Sequence, residues 1–447
     1  MKPNILFLLI DSLRADKFYG EKKTTSTPTA NNLLKKGIYF EQTISSSDYT
    51  VTGIGSIFSG LYPIDAGKRG TSYHKIYSNI LNYIDFFKKN GYHSYATMEE
   101  SFTKLGFSDQ FENKDQAYPR TMQLFNGLGE KIVEMLESNR MKKPWIYFVH
   151  IDDLHIPVNV PSKYGNLKYS DRYDIMISEI DSWIEKFLKL IDFENTIITI
   201  TADHGDYIPT IDDSSKLNPK LKKQISKLYL KKNLPSSIYK LISRIRQKTV
   251  HDIRAVQNIN ASPYEKRSLD NRVAKNRYLY DDVVHVPLLF VGYSIPSIGL
   301  IPQQVRSIDI FPTLAEIVEL PSRDVKIDGR SLVPLFNKQK LDDLPTYLES
   351  TIFDTLLKSA VGHRGIRTSK YKYFRKLDDP NQNVHLFDLE NDPLEEKNIA
   401  TTKPDVVEKM EKTMNQIIQK STKIEPIEMS DDEAKEVEAE LKKLGYI

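Results

Sequence analysis

Four stretches of the chain are apolar or carry only threonine among apolar residues: Ile5-Leu6-Phe7-Leu8-Leu9-Ile10, Trp145-Ile146-Tyr147-Phe148-Val149, Thr196-Ile197-Ile198-Thr199-Ile200-Thr201 and Val286-Pro287-Leu288-Leu289-Phe290-Val291. A strand with one wet face alternates apolar and polar residues, so runs without alternation predict strands buried on both faces. Between them the period changes. Ile177, Ile180, Ile184, Phe187, Leu188 and Ile191 recur at the i+3/i+4 spacing of a helix, and Leu81 to Asn90 reads as another that stops at Gly91 before a strand-like His93 to Thr97. This alternation predicts an α/β fold with a large, mostly parallel central sheet flanked by helices. Ligands of such folds bind beyond the carboxyl ends of the strands.

Polar residues cluster at those ends. Asp11 follows Ile10, Asp203-His204-Gly205-Asp206 follows the third run, and the second leads through His150-Ile151-Asp152-Asp153-Leu154-His155 into Ile156-Pro157. One aspartate after a strand is as readily a helix cap as a ligand. Three acidic or imidazole-bearing strand ends together favour a cation site.

From 206 to 277 no strong strand appears, and Lys216 to Val250 carries many Lys and Arg but no Asp or Glu. This reads as a basic, helical insertion: either a solvated excursion or, through 216–250, a peripheral contact with an anionic membrane surface or a polyanion. After Gly329-Arg330-Ser331-Leu332 the elements shorten. Thr346 to Glu349, Gly365 to Thr368, Lys370 to Arg375 and Val384 to Leu389 predict a small antiparallel sheet. Helices follow at Val406 to Lys420 and at Asp431 to Leu444. The organisation expected is a catalytic domain over 1–340, containing the insertion 206–277, and a C-terminal α+β subdomain over 341–447.

The composition narrows the chemistry. With 40% hydrophobic and 28% charged residues among 447, and a net charge of +3, the chain has a globular profile and no global charge suited to nucleic acid. It contains no cysteine, so metal ligands must be oxygen and nitrogen and no thiol can act as nucleophile. The first apolar run is closed by Asp11 before any cleavage-site pattern, and no stretch approaches the roughly 18 apolar residues of a membrane span. The default compartment is therefore cytoplasmic.

The order of short motifs carries a resemblance over nearly the whole chain. Asn4-Ile5-Leu6 through Asp11-Ser12-Leu13-Arg14-Ala15-Asp16, then Thr27-Pro28-Thr29-Ala30 and Gly37-Ile38-Tyr39-Phe40, precede Thr201-Ala202-Asp203-His204-Gly205-Asp206. Next come Tyr280-Asp281-Asp282 into His285-Val286-Pro287, Ser307-Ile308-Asp309-Ile310-Phe311-Pro312-Thr313 into Asp328-Gly329-Arg330, and Leu386-Phe387-Asp388-Leu389 with Asp392-Pro393-Leu394. Each motif is weak alone. Together they resemble the sulfatase-like family of the alkaline phosphatase superfamily, which implies its fold and a hydrolase of sulfate or phosphate esters.

Sulfatases proper convert a cysteine or serine in a Cys/Ser-x-Pro-x-Arg motif to formylglycine. The equivalent stretch here, Thr50-Val51-Thr52-Gly53-Ile54, has neither the Pro nor the Arg. Threonine in this place is similar to phosphodiesterase, phosphonate-hydrolase and phosphoglycerol-transferase relatives, which implies Thr50 as nucleophile. A threonine hydroxyl is a poor nucleophile at neutral pH and needs a neighbouring cation. Asp11, Asp203 and His204, with Thr50 itself, can hold one divalent ion: Mn²⁺, Zn²⁺, Mg²⁺ or Ca²⁺. A helix beginning near Gly53 would place Thr50 at its positive end.

The resemblance further implies His155 as a contact to the substrate anion and acid for the leaving alcohol. Arg14 and His285 are candidate substrate contacts, and Lys68 and Arg364 candidate anion contacts. Asp152 and His285 could hold a second cation as in two-metal relatives, although Asp152 lies three rather than four residues before His155. Ser12 replaces an acidic residue common in sulfatases. The family's Lys-x-His pair has no counterpart, since Met98-Glu99-Glu100 stands there. Both departures favour one cation and phosphate-type chemistry. The leading expectation is a hydrolase acting on an anionic ester, glycan or lipid-linked, through a covalent Thr50 intermediate. The alternatives are a phospho-alcohol transferase acting on a glycan or lipid, and a catalytically silent polyanion-binding protein.

Overall fold

The computed structural model describes residues 2–20, 23–65, 80–165, 167–209, 261–274, 278–320, 325–354 and 359–421, with isolated positions beyond. Lys68, the basic stretch 216–250 and most of the helix expected over Asp431 to Leu444 lie outside the described residues. The strands are β1 (Asn4–Ile10), β2 (Ile38–Ile44), β3 (His93–Glu99), β4 (Ala117–Tyr118), β5 (Trp145–Ile151), β6 (Thr196–Thr201), β7 (His285–Val286), β8 (Leu288–Gly292), β9 (Gly299–Arg306), β10 (Thr346–Asp354), β11 (Ser359–Arg367), β12 (Tyr371–Lys376) and β13 (His385–Asp388). The helices that bear on the site are α1 (Pro28–Leu34), α2 (Thr50–Ser59), α3 (Tyr169–Leu188), α4 (Ile310–Ile317) and α5 (Pro404–Lys420).

Nine strands form the large sheet in the order β4-β3-β5-β1-β6-β8-β2-β7, with β9 beside β2. The run from β4 to β6 is parallel, whereas β8 pairs antiparallel with both β6 and β2. The absence of alternation in β1 has its cause here. Ile5, Phe7 and Leu9 point into one core with Ile54, Phe58 and Phe311, while Leu6, Leu8 and Ile10 point into another with Tyr173, Ile177 and Ile184. Each such side chain contributes roughly 1.5–3 kcal/mol on burial, so a polar substitution on either face of β1 would be strongly destabilising.

Helix α3 covers the second face with Tyr173, Met176, Ile177, Ile180, Ile184 and Phe187, the predicted periodicity. It also orients neighbours through polar groups. Its Asp181 accepts hydrogen bonds from the backbone N–H groups of Thr29 (2.9 Å) and Ala30 (2.8 Å), which satisfies free donors in the first turn of α1. The Tyr173 hydroxyl donates to the Ser12 carbonyl at 2.6 Å and accepts from the Arg14 N–H at 3.1 Å, which pins the chain leaving β1.

A second sheet, β10-β11-β12-β13, is antiparallel throughout. Met410 and Met414 of α5 cover one face against Tyr347, Ile366, Tyr373 and Leu386. This sheet leans on the loop before α2, where the Glu349 N–H donates to the Ser46 carbonyl at 2.9 Å. A buried ion network reinforces the joint: Asp281 pairs with Arg367 at 2.9 Å and with Lys372, whose ammonium also meets Glu395 at 2.9 Å. Among the described residues no helix is long and apolar enough to cross a membrane.

Candidate active site

The order β5-β1-β6 places three strand ends side by side. Ile10 pairs with Ile151, and Leu9 with both His150 and Thr201, so Asp11, Asp152 and Asp203 leave the sheet along one edge. Ser12 turns the chain with a φ of +61°. Its N–H donates to Asp203 Oδ1 at 3.2 Å and its hydroxyl to Asp11 Oδ1, tying two strand ends together.

Helix α2 delivers the hydroxyl. Thr50 is its first residue, fully buried, with Oγ1 3.0 Å from His204 Nε2 and 3.3 Å from Asp11 Oδ2. Glycine at 53 permits this approach, because a Cβ there would stand 2.8 Å from the Asp203 carbonyl oxygen. Gly60, at a φ of +68°, ends the helix in the left-handed conformation that glycine adopts without penalty.

The imidazole of His204 has a defined orientation. Nδ1 lies 2.7 Å from the Gly205 carbonyl, which can only accept, so Nδ1 carries a proton, and in the neutral ring the Nε2 lone pair faces Thr50. Burial opposes a charge on His204, but Asp203 and Asp11 lift its pKa above the ordinary imidazole value. The two carboxylates push each other apart. Burial would raise Asp11, yet the surrounding imidazoles hold it well below the usual range, while burial and the Asp11 charge push Asp203 up to about 6.

A divalent cation suits this set. The ligand atoms of Asp11, Asp203 and His204 lie within 4.8 Å of one another, and Asp203 Oδ2 is buried with no hydrogen-bond partner. Oxygen and imidazole donors of this kind hold Mn²⁺ or Zn²⁺ readily and Mg²⁺ or Ca²⁺ through their carboxylates.

His155 is buried and lies close enough to Asp11 for the two groups to interact electrostatically. The Arg120 guanidinium contacts His155 Nδ1 and donates to the Ile156 carbonyl at 2.8 Å. The same Nδ1 also lies 3.0 Å from the Ile156 carbonyl, which anchors the ring against the backbone. Burial and the Arg120 charge push the His155 pKa down to about 4, which keeps the ring neutral at pH 7.

Two expected substrate contacts lie elsewhere. The Arg14 guanidinium is not available to a substrate: it bonds Asp282 at 2.7 Å, Asp16 at 2.8 Å and the Tyr264 hydroxyl at 3.0 Å, as a buried member of an ion network shared with Arg267. His285 bonds the Glu41 carbonyl through Nε2 at 2.8 Å and sits beside Asp281 and Arg367, a structural position that removes it from the second cation site as well. Arg364 pairs with Asp65 at 2.8 Å. Sequence reading named His150 only as part of a strand end that favours a cation site, and gave Arg120 no role. His150 carried one signal, an imidazole inside an otherwise apolar strand, whereas Arg120 stands in a loop among ordinary charges and carried none.

The fold is α/β, with the candidate cluster at the carboxyl ends of its parallel strands. The sulfatase family model matches residues 3–320, and a model for the C-terminal part of N-sulphoglucosamine sulphohydrolase matches residues 270–422. The chain belongs to the sulfatase family and is a sulfatase-like ester hydrolase. It is similar to arylsulfatase K of Gallus gallus, at 21% identity over 93% of this chain and 82% of that protein. Arylsulfatase K of Homo sapiens is 20% identical over the same shares. Among solved structures, a 2-O GAG sulfatase superposes with a TM-score of 0.66 at 16% identity, over 94% of this chain and 92% of that one. The phosphonate monoester hydrolase of Agrobacterium radiobacter gives the same TM-score at 14% identity, over 94% and 96%.

Proposed function

We propose that the chain is a metal-dependent hydrolase that cleaves a sulfate ester, or a phosphate ester of the same tetrahedral geometry, on a saccharide through a covalent Thr50 intermediate. The observation that carries this reading is the buried Thr50 hydroxyl at the start of α2, 3.0 Å from His204 Nε2 and 3.3 Å from Asp11 Oδ2. Asp11, Asp203 and His204 would hold the cation, which lowers the pKa of the adjacent hydroxyl and neutralises charge developing on the ester oxygens. The saccharide is suggested by relatives whose names or bound ligands are glycans, among them the 2-O GAG sulfatase and a structure holding a neocarrahexaose.

The residues divide the work. Thr50 Oγ1 attacks sulfur or phosphorus, its proton passing to solvent or a neighbouring base, and the bond from that atom to the alcohol oxygen breaks. His155 would give the departing alcohol its proton as the imidazolium, the form that the negative charge of a bound ester favours. Water then attacks the same atom, breaks its bond to Thr50 Oγ1 and regenerates the hydroxyl. Backbone N–H groups in the first turn of α2 face the ester oxygens with the positive end of the helix.

The test is a panel of aryl sulfates and aryl phosphates offered to chelator-stripped protein and to protein reloaded with Mn²⁺, Zn²⁺, Mg²⁺ or Ca²⁺. Turnover that returns with metal and is lost in Thr50→Ala supports the reading. Undiminished turnover in Thr50→Ala, or in stripped protein, rejects it.

A further inference from the structure

The end of β5 contains a histidine to which the reaction above gives no task. His150 is fully buried, its ring 4.5 Å from that of Phe102, and neither ring nitrogen has a hydrogen-bond partner. Burying an imidazole without a partner for either nitrogen is unfavourable, and such groups are rare unless a water or an ion completes them.

Its surroundings favour an ion. His150 Nε2 stands 3.6 Å from Asp11 Oδ2, too far for a hydrogen bond. It is the separation expected of two ligands on one cation: bonds of about 2.0–2.2 Å meeting at a tetrahedral angle put their ends about 3.3–3.6 Å apart. A third ligand is at hand, because atoms of Asp11, His150 and Asp152 all lie within 4.8 Å of one another. The Asp152 side chain is only 8% exposed. Buried Glu99 lies close enough for its charge to act on Asp152, and the Arg120 Nε that faces Asp152 is 3.7 Å away.

We propose that the site holds a second divalent cation on His150 Nε2 and the carboxylates of Asp11 and Asp152, with Asp11 shared between the two positions. This rests on the metal-dependent reading of the Asp11, Asp203 and His204 cluster. It differs from the sequence expectation in its ligand, since His285 is bonded to the Glu41 carbonyl and His150 takes its place. A cation held there would add positive charge beside the Asp11 and Asp152 carboxylates.

Full-length protein is stripped with chelator, reloaded with Mn²⁺, freed of excess by gel filtration and assayed for bound metal and by electron paramagnetic resonance. Two equivalents are expected in the wild type, with the broadened spectrum of a coupled Mn²⁺ pair, and one uncoupled equivalent in His150→Phe or Asp152→Asn. One equivalent with an uncoupled spectrum in the wild type overturns the second position and leaves the single-cation reading standing. No bound metal in the wild type overturns both. Two equivalents retained in folded His150→Phe remove His150 as a ligand and overturn the proposal; the wild-type spectrum decides without the variants should they fail to fold.

Discussion

Gly53 and Asp203 meet backbone to backbone: a Cβ on Gly53 would lie 2.8 Å from the Asp203 carbonyl oxygen and 3.3 Å from its carbonyl carbon. That contact sets how deeply the first turn of α2 enters the site, and with it the position of Thr50. Gly53→Ala forces the helix away by a fraction of an ångström. The expected outcome is a loss in kcat of at least about tenfold, as misplaced reacting groups show, with a stability cost of about 1–3 kcal/mol typical of overpacking. Steady-state kinetics beside a denaturant melt separates the two effects.

Arg14 is a structural ion-pair partner, so Arg14→Met is expected to lower stability and leave KM nearly unchanged. Removing one partner strands the buried Asp282, at 2.7 Å in the native protein, and such losses run to about 3–5 kcal/mol. Arg267, which also pairs with Asp282, brings the figure toward the lower end. A tenfold rise in KM without a change in melting temperature would restore Arg14 as a substrate contact.

Much of the architecture was readable from apolar runs, because β1, β5 and β6 are buried on both faces and show no polar alternation. Their order in the sheet and the antiparallel sense of β8 were not, since direction is set by where the connecting segments return and not by the strand's own composition. Asp11, Asp203 and His204 were nominated by their places at strand ends and Thr50 by the family resemblance, and the fold brings the four together. Arg14 misled for a physical reason: Asp282, the partner that engages it, is 268 positions away. His150 was hidden by its setting, for its neighbours in β5 are core residues and the sequence does not show which face an imidazole turns toward a carboxylate.

Metal loading should appear in stability as well as in activity. A cation that binds the folded chain at a hundredfold excess over its Kd contributes about 2.7 kcal/mol. Chelation is therefore expected to lower the melting temperature, and Asp203→Asn to abolish most of the difference between stripped and loaded protein. Differential scanning calorimetry with and without Mn²⁺ measures this; an identical shift in Asp203→Asn would place the cation elsewhere.

The C-terminal sheet carries a pH dependence of its own. Burial, then the nearby His363, pushes the His385 pKa down to about 4, and its ring stacks on Phe374 at 4.7 Å. The unfolded chain takes up a proton near pH 6.5 that the folded ring resists, so the neutral-ring stability is full above that pH. It is lost as pH falls from about 6.5 toward 4, by at most about 3 kcal/mol. His385→Gln is expected to flatten that part of the stability profile, read from urea midpoints at pH 7 and pH 5. An unchanged slope would assign it to other groups.

The covalent step is tested most directly by rapid acid quench of the metal-loaded enzyme during turnover, followed by mass spectrometry of the peptide containing Thr50. The account predicts one sulfo or phospho group on the Thr50 oxygen, present only while substrate is being consumed. An unmodified Thr50 throughout turnover, with the group found on another side chain or on none, would contradict it.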